Sequence, residues 1–165
     1  MIIKWEGGDN FSIKTKSNSL RIGSKIQLDK LDISGPGEYE VGGTQVEVID
    51  GIIQVYAEGM TIGHIKKAKV FSDQELEELS GIDILLIGVG GAEFTETKTA
   101  LSVINQIDPN IVIPMHKGNL QEFAKEEGVT TEGKDELKIS KIDLPQDERQ
   151  VIILNARKSI ENANR

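Results

Sequence analysis

Apolar and polar residues alternate along the first third of the chain in short bursts, "IIKW", "FSIKT", "LRIG", "KIQL", "YEVGG", "TQVEVI" and "IIQVYA", separated by Gly, Asn and Asp. Period-two alternation broken at hairpin spacing predicts antiparallel sheet from Ile2 to Val55, with "SNS" and "DG" as turns. In "TQVEVI", Val46 and Val48 share one face while Gln45 and Glu47 share the other, the pattern of a half-buried strand.

The pattern changes after "MTIGHI". Ser72 followed by Glu75 is a capping-box pair opening a short helix, with Leu76 and Leu79 inward and Gly81 at its end. "IDILLIG" is almost continuously apolar, as in a strand buried on both faces. Thr95 is expected to cap the next helix, in which Ala100, Val103, Ile104 and Ile107 recur at helical spacing and which Asp108-Pro109 stops. "NIVIPM" then returns as a second buried strand, and a strand-helix-strand unit implies a parallel pair joined by a right-handed crossover. "NLQEFAKEEG" reads as a third helix, and "LKISKIDL" and "RQVIILNA" as two closing strands. The order suits a sheet sandwich with helices on at least one outer face.

Composition narrows the function classes. A chain of 165 residues supports one domain, taken as residues 1–157 with a polar tail at 158–165. With no cysteine, disulfides, thiolate nucleophiles and sulfur-based zinc sites are excluded, so a metal would need His, Asp or Glu. Nineteen basic against 27 acidic residues give a net charge of −8, and no basic stripe with interleaved aromatics is visible. Nucleic acid is therefore not an expected partner. No apolar run approaches the roughly 18 to 20 residues that cross a bilayer. Together with an N-terminus lacking signal-peptide order, this gives no membrane partner and a cytoplasmic expectation.

Three stretches are candidates for chemistry. "IVIPMHKG" places His116 just past a buried strand, where enzymes often keep a metal ligand, and the only other histidine is His64. "GVGG" at 88–91 lies between a strand and a helix, where backbone N–H groups can hold phosphate; lacking the P-loop Lys-Ser/Thr and the GxGxxG pattern, it reads first as a tight turn. "SGPGEYEVGG" reads as a rigid loop entering a strand.

"ISGPGEYEVGG", "FSDQELEELSGIDILLIGVGG" and "TKTALSVINQIDPNIVIPMH" resemble, in the same order, segments of the metallo-β-lactamase-fold hydrolases related to L-ascorbate-6-phosphate lactonase. The resemblance is strong over about residues 33–118 and weaker over the opening "MIIKWEGGDNFSIKT". It implies an α/β sandwich of two mixed β-sheets, with a metal site at the edge between them and hydrolysis of esters, lactones, amides or phosphodiesters. The helices are expected mainly on the C-terminal side, with the N-terminal helical layer reduced or absent.

The family's ligands do not carry over. No histidine precedes His64, so the H-x-H-x-D-H cluster has no counterpart, and a Gly-His pair near the start appears as Gly7-Gly8. The later H-x-G-D element aligns with His64-Ile65-Lys66-Lys67, which places a lysine where the bridging acid belongs. His116 alone matches a true ligand of the family's series.

The sequence reading is thus a shortened, degenerate member whose vestigial site candidates are His64, Lys67 and His116. No catalytic residue, metal ligand or cofactor is assigned, and the role expected is binding or structural. Lys67 is expected either to face His116 in the metal's place or simply to reach solvent. The competing expectations are a metal-dependent hydrolase with an atypical or partner-completed site, and a metal-free small-molecule or phosphate binder at "GVGG". The missing N-terminal helix is expected to leave apolar sheet surface bare, to be covered in a homodimer or larger homo-oligomer.

Overall fold

The computed structural model describes residues 1–79 and 81–157; the tail expected at 158–165 lies outside them. In chain order the strands are β1 (Ile2–Gly7), β2 (Asn10–Lys14), β3 (Ser19–Ile22), β4 (Ile26–Leu28), β5 (Leu31–Ile33), β6 (Gly37–Val41), β7 (Thr44–Ile49), β8 (Ile52–Ala57) and β9 (Met60–Ile65). Helix α1 (Asp73–Glu78), β10 (Ile84–Gly88), α2 (Thr97–Ile107), β11 (Ile111–Met115), α3 (Gln121–Glu127), β12 (Leu137–Lys138) and β13 (Gln150–Val151) follow.

The strands form two sheets. The first has order β12-β1-β2-β3-β4-β5 and is antiparallel throughout. In the second, of order β13-β11-β10-β9-β8-β7-β6, the strands β13, β11, β10 and β9 run parallel and the remaining three join as hairpins. Alternation places Ile3, Trp5, Phe11, Ile13, Leu20 and Ile22 of the first sheet against Val46, Val55, Ile62, Ile84, Leu86 and Ile113 of the second, all buried in one core. Each such side chain contributes about 1.5 to 3 kcal/mol on leaving water. A second core lies on the far face of the second sheet, where Leu85, Ile87 and Val112 meet Ala100, Val103 and Ile104 of α2 and Phe123 of α3. Gly63 on β9 lets α1's following segment close, because a Cβ there would stand 2.7 Å from Ile82 Cδ1.

Local signals account for many boundaries. Asp50 and Gly51 both take positive φ, 50° and 78°, so the "DG" pair makes the tight turn joining β7 to β8. At α1, the Ser72 hydroxyl accepts from the Glu75 N–H at 3.2 Å and the Glu75 carboxylate accepts from the Ser72 N–H at 3.1 Å. Asp108, at φ 53°, ends α2 by returning its N–H to the Ile104 carbonyl. Pro114 is tolerated within β11 because β13 pairs only as far as Val112, so no sheet bond is lost.

Two element expectations need correction. Thr95 does not cap α2: the N-cap is Glu96, without a side-chain bond, while the buried Thr95 hydroxyl accepts from the Ala68 N–H at 2.9 Å and donates to the Lys66 carbonyl. The closing strands are shorter than expected, two residues each. After Lys138 the chain turns into a 3-10 segment, Lys141–Asp143, that carries its own capping box at Ser140 and Asp143.

As expected, the helices lie on the second sheet, and the outer face of the first sheet carries no helix among the described residues. That face is not apolar. Lys4, Ser12, Lys14, Arg21, Gln27 and Asp32 alternate outward there, with Ile2 partly covered among them. The bare apolar surface from which self-association is expected is thus not found on this face among the described residues.

Candidate functional site at the strand ends

Strands β9, β10 and β11 are parallel neighbours and end side by side. The loops beyond them carry residues the sequence singles out, Lys67 after β9, Gly88–Gly91 at the end of β10 and His116 after β11, together with Lys66 and Lys117. Ligand sites in sheets of this kind lie at such carboxyl ends.

His64, the penultimate residue of β9, faces the core between the sheets under the β1–β2 turn. Its Nε2 is 2.7 Å from the Asp9 carbonyl oxygen. A carbonyl only accepts, so Nε2 carries the proton and Nδ1 holds a bare lone pair. Nδ1 is buried without a hydrogen-bond partner among the described residues. Burial pushes the His64 pKa below its usual 6.5, and the Asp9 carbonyl opposes this only in part, so the ring is neutral at pH 7.

His116 is half-buried and stacks at a tilt on Trp5, with ring centroids 4.9 Å apart. Its Nδ1 accepts from the Gly118 N–H at 3.1 Å, which leaves the proton of the neutral ring on Nε2. Desolvation lowers its pKa too. The two histidines open on different hollows. His64 lines a cavity of about 630 Å³ walled by Ile52, Ile65, Phe71 and Leu79, whereas His116 lies with Trp5 on a shallower one of about 380 Å³.

Lys67 is exposed, and its ammonium donates to the Ala92 carbonyl at 3.3 Å. His116 has other partners, Trp5 and Gly118. The mouth of the strand ends is instead spanned by Glu93, which bridges Lys117 and Lys66, the latter at 3.5 Å. The Lys117 ammonium, aided by Lys66, holds the Glu93 carboxyl below the usual carboxylate range. Sequence reasoning did not single out Glu93 or Trp5. For Trp5 no local signal existed, since its partner His116 is far from it in sequence, but "HK" beside a strand end was a usable pointer to a nearby acid.

The "GVGG" loop is a structural turn. A Cβ at Gly88 would stand 2.0 Å from the Lys66 carbonyl oxygen, and one at Gly90 2.6 Å from the Asn119 carbonyl oxygen. Its backbone donors are also used internally: Val89 N–H reaches the Met115 carbonyl at 2.8 Å and Gly91 N–H the Thr95 carbonyl at 3.0 Å. That removes two of the N–H groups a phosphate cradle would need.

A zinc site needs about three converging lone-pair donors from the protein. Among the described residues no group of three or more His, Asp or Glu side chains meets that requirement. With one histidine nitrogen bare but buried, the other histidine facing a separate hollow, and lysines at the rim, this donor set does not fit a catalytic metal.

Residues 6–116 match the sequence pattern of the β-lactamase superfamily domain. Over 57 residues the chain is 44% identical to the UPF0173 metal-dependent hydrolase of Nanoarchaeum equitans, a stretch that makes up 34% of this chain and 26% of that relative. The match thus spans about a quarter of that relative's length. In three dimensions the chain is similar to a Thermotoga maritima protein assigned to the Zn-dependent hydrolases of the metallo-β-lactamase superfamily. The TM-score is 0.78 at 21% identity, covering 94% of this chain and 100% of that one. It is also similar to Igni18, a metallo hydrolase of Ignicoccus hospitalis, with a TM-score of 0.62 at 11% identity over 84% and 99% of the two chains. At these identities the likeness shows the shared fold. With well over half of its length inside the family's sequence pattern, the chain belongs to the β-lactamase superfamily.

Proposed function

We propose that this chain is a non-hydrolytic member of its superfamily, a binding protein on a hydrolase fold that has lost the metal site. The observation that carries this reading is that no group of three or more His, Asp or Glu side chains converges among the described residues. Two of the nearby carboxylates are already paired, Glu93 with two lysines and Glu75 with its own cap and Lys69. Ammonium groups at the rim oppose a divalent cation. Thermal unfolding with added zinc tests the reading. We expect the midpoint in excess zinc to match that in chelator, since a ligand that does not bind the native state does not shift it. A saturable rise abolished in both His64→Ala and His116→Ala would contradict it.

A second reading, a metal-dependent ester, lactone or phosphodiester hydrolase with an atypical or partner-completed site, is favoured by one feature. The bare Nδ1 of His64 is a lone pair without an occupant among the described residues. Under that reading zinc binding appears only with the completing chain present.

A further inference from the structure

Charge is distributed unevenly over the first sheet. On its outer face Lys4 pairs in register with Ser12, and Ser12 with Arg21, so two cations flank one serine across three strands. Lys14 lies two residues along β2 and therefore on the same face. With strands about 4.8 Å apart and alternate residues about 7 Å apart, the backbones of these three residues fall within roughly 10 Å of one another. Arg157 joins them at the rim, and the four enclose a groove of about 370 Å³ floored in part by Ser12, Ser19 and Gln27.

These cations are largely uncommitted. Among the described residues the one acid lining the groove, Asp29, spends its carboxylate on Asn18 Nδ2 and the Ser19 N–H. Lys4 reaches Glu136 at 3.9 Å and Arg157 reaches Glu6 at 3.4 Å, both exposed pairs of little worth. Lys14 and Arg21 make no ion pair among the described residues. On a chain of net charge −8, an unselected face would carry more acid than base.

We propose that this groove binds a small polyphosphorylated molecule. Several cations at spacings of about 7 to 10 Å match a ligand with more than one anionic group better than a single carboxylate. Ser12 and Gln27 supply neutral donors, and the volume falls within the range of small-molecule sites. A polymer is disfavoured because the patch is bounded by Glu6, Asp32 and Glu136 and the molecule around it is acidic. The inference does not depend on the fate of the metal site.

Isothermal titration of the full chain in chelator, with inorganic triphosphate, pyrophosphate and orthophosphate as probes, tests it. We expect one triphosphate per chain, affinity rising with phosphate number, and weakening between about 50 and 200 mM salt. Arg21→Gln and Lys14→Gln should each weaken binding about tenfold, as loss of a charge-assisted contact does. Lys125→Gln on α3 should leave binding unchanged, with unaltered melting points certifying the fold of all three variants. Absence of saturable triphosphate binding, or wild-type affinity in both groove variants, overturns the proposal. So does tighter binding of duplex DNA or of phosphatidylserine vesicles than of triphosphate, which would assign the face to a macromolecule. Chelator is present throughout, so failure here is distinct from failure of the metal-free reading.

Discussion

A histidine's chemistry depends on which nitrogen is left free, and in this chain both rings are already committed to backbone groups. Burial lowers the pKa of His64 and of His116 below 6.5. Between the lowered values and about 6.5 the unfolded chain binds more protons than the folded one. The stability tied to the neutral rings is therefore full above about pH 6.5 and is lost as pH falls through that window. The depressed carboxyls, Glu58 and Glu75 among them, act lower, below their ordinary 4.5. We thus expect the free energy of urea unfolding to fall between about pH 7 and pH 5, and His64→Gln, which keeps a donor for Asp9, to flatten part of that slope. An unchanged slope in the variant would show that His64 titrates alike in both states. The residue types at positions 64, 67 and 116 were legible in the sequence, but their partners were not. Asp9 and Trp5 are brought to the histidines by the closing of the sandwich, and Ala92 to Lys67 by the parallel pairing of β9 with β10, across separations that no local pattern encodes.

At the scale of elements, what is local was legible and what is distant was not. The capping box at Ser72 and Glu75, the Asp50-Gly51 turn and the parallel β10-α2-β11 unit are all contained in short stretches of sequence. Thr95 looked like a cap for the same local reason, but the Lys66–Ala68 segment recruits its hydroxyl instead. The basic groove escaped notice because no segment is basic: its cations come from three strands and from Arg157, and only the pleat and register collect them. Three substitutions test the element account. Ser72→Ala should cost about 1 kcal/mol through loss of the α1 cap. Gly88→Ala should cost about 2 kcal/mol or more, because its Cβ would meet the Lys66 carbonyl at 2.0 Å and Phe94 Cδ1 at 2.7 Å. Gly43→Ala, at φ +87° but in open space, should cost about 1 kcal/mol. Denaturant midpoints that failed to rank Gly88→Ala below Gly43→Ala would remove the steric reading of the "GVGG" turn.

The whole molecule is a two-sheet sandwich with helices on one side, and the resemblance to its superfamily was legible in three ordered segments. The polar character of the bare sheet face was not, since the absence of a helix there among the described residues says nothing about what the uncovered residues are. Lys4, Ser12, Lys14 and Arg21 are already suited to water, and this predicts a single-chain mass of 18.1 kDa by light scattering at micromolar concentration. A stable dimer would instead restore the expectation that the sheet is an interface. The central claim, a hydrolase fold without its metal, is tested most directly by elemental analysis. The chain is purified without chelator, supplied with zinc, manganese and iron, and dialysed. We predict metal well below one ion per chain. About one ion per chain that survives dialysis and disappears in His116→Ala would contradict the account.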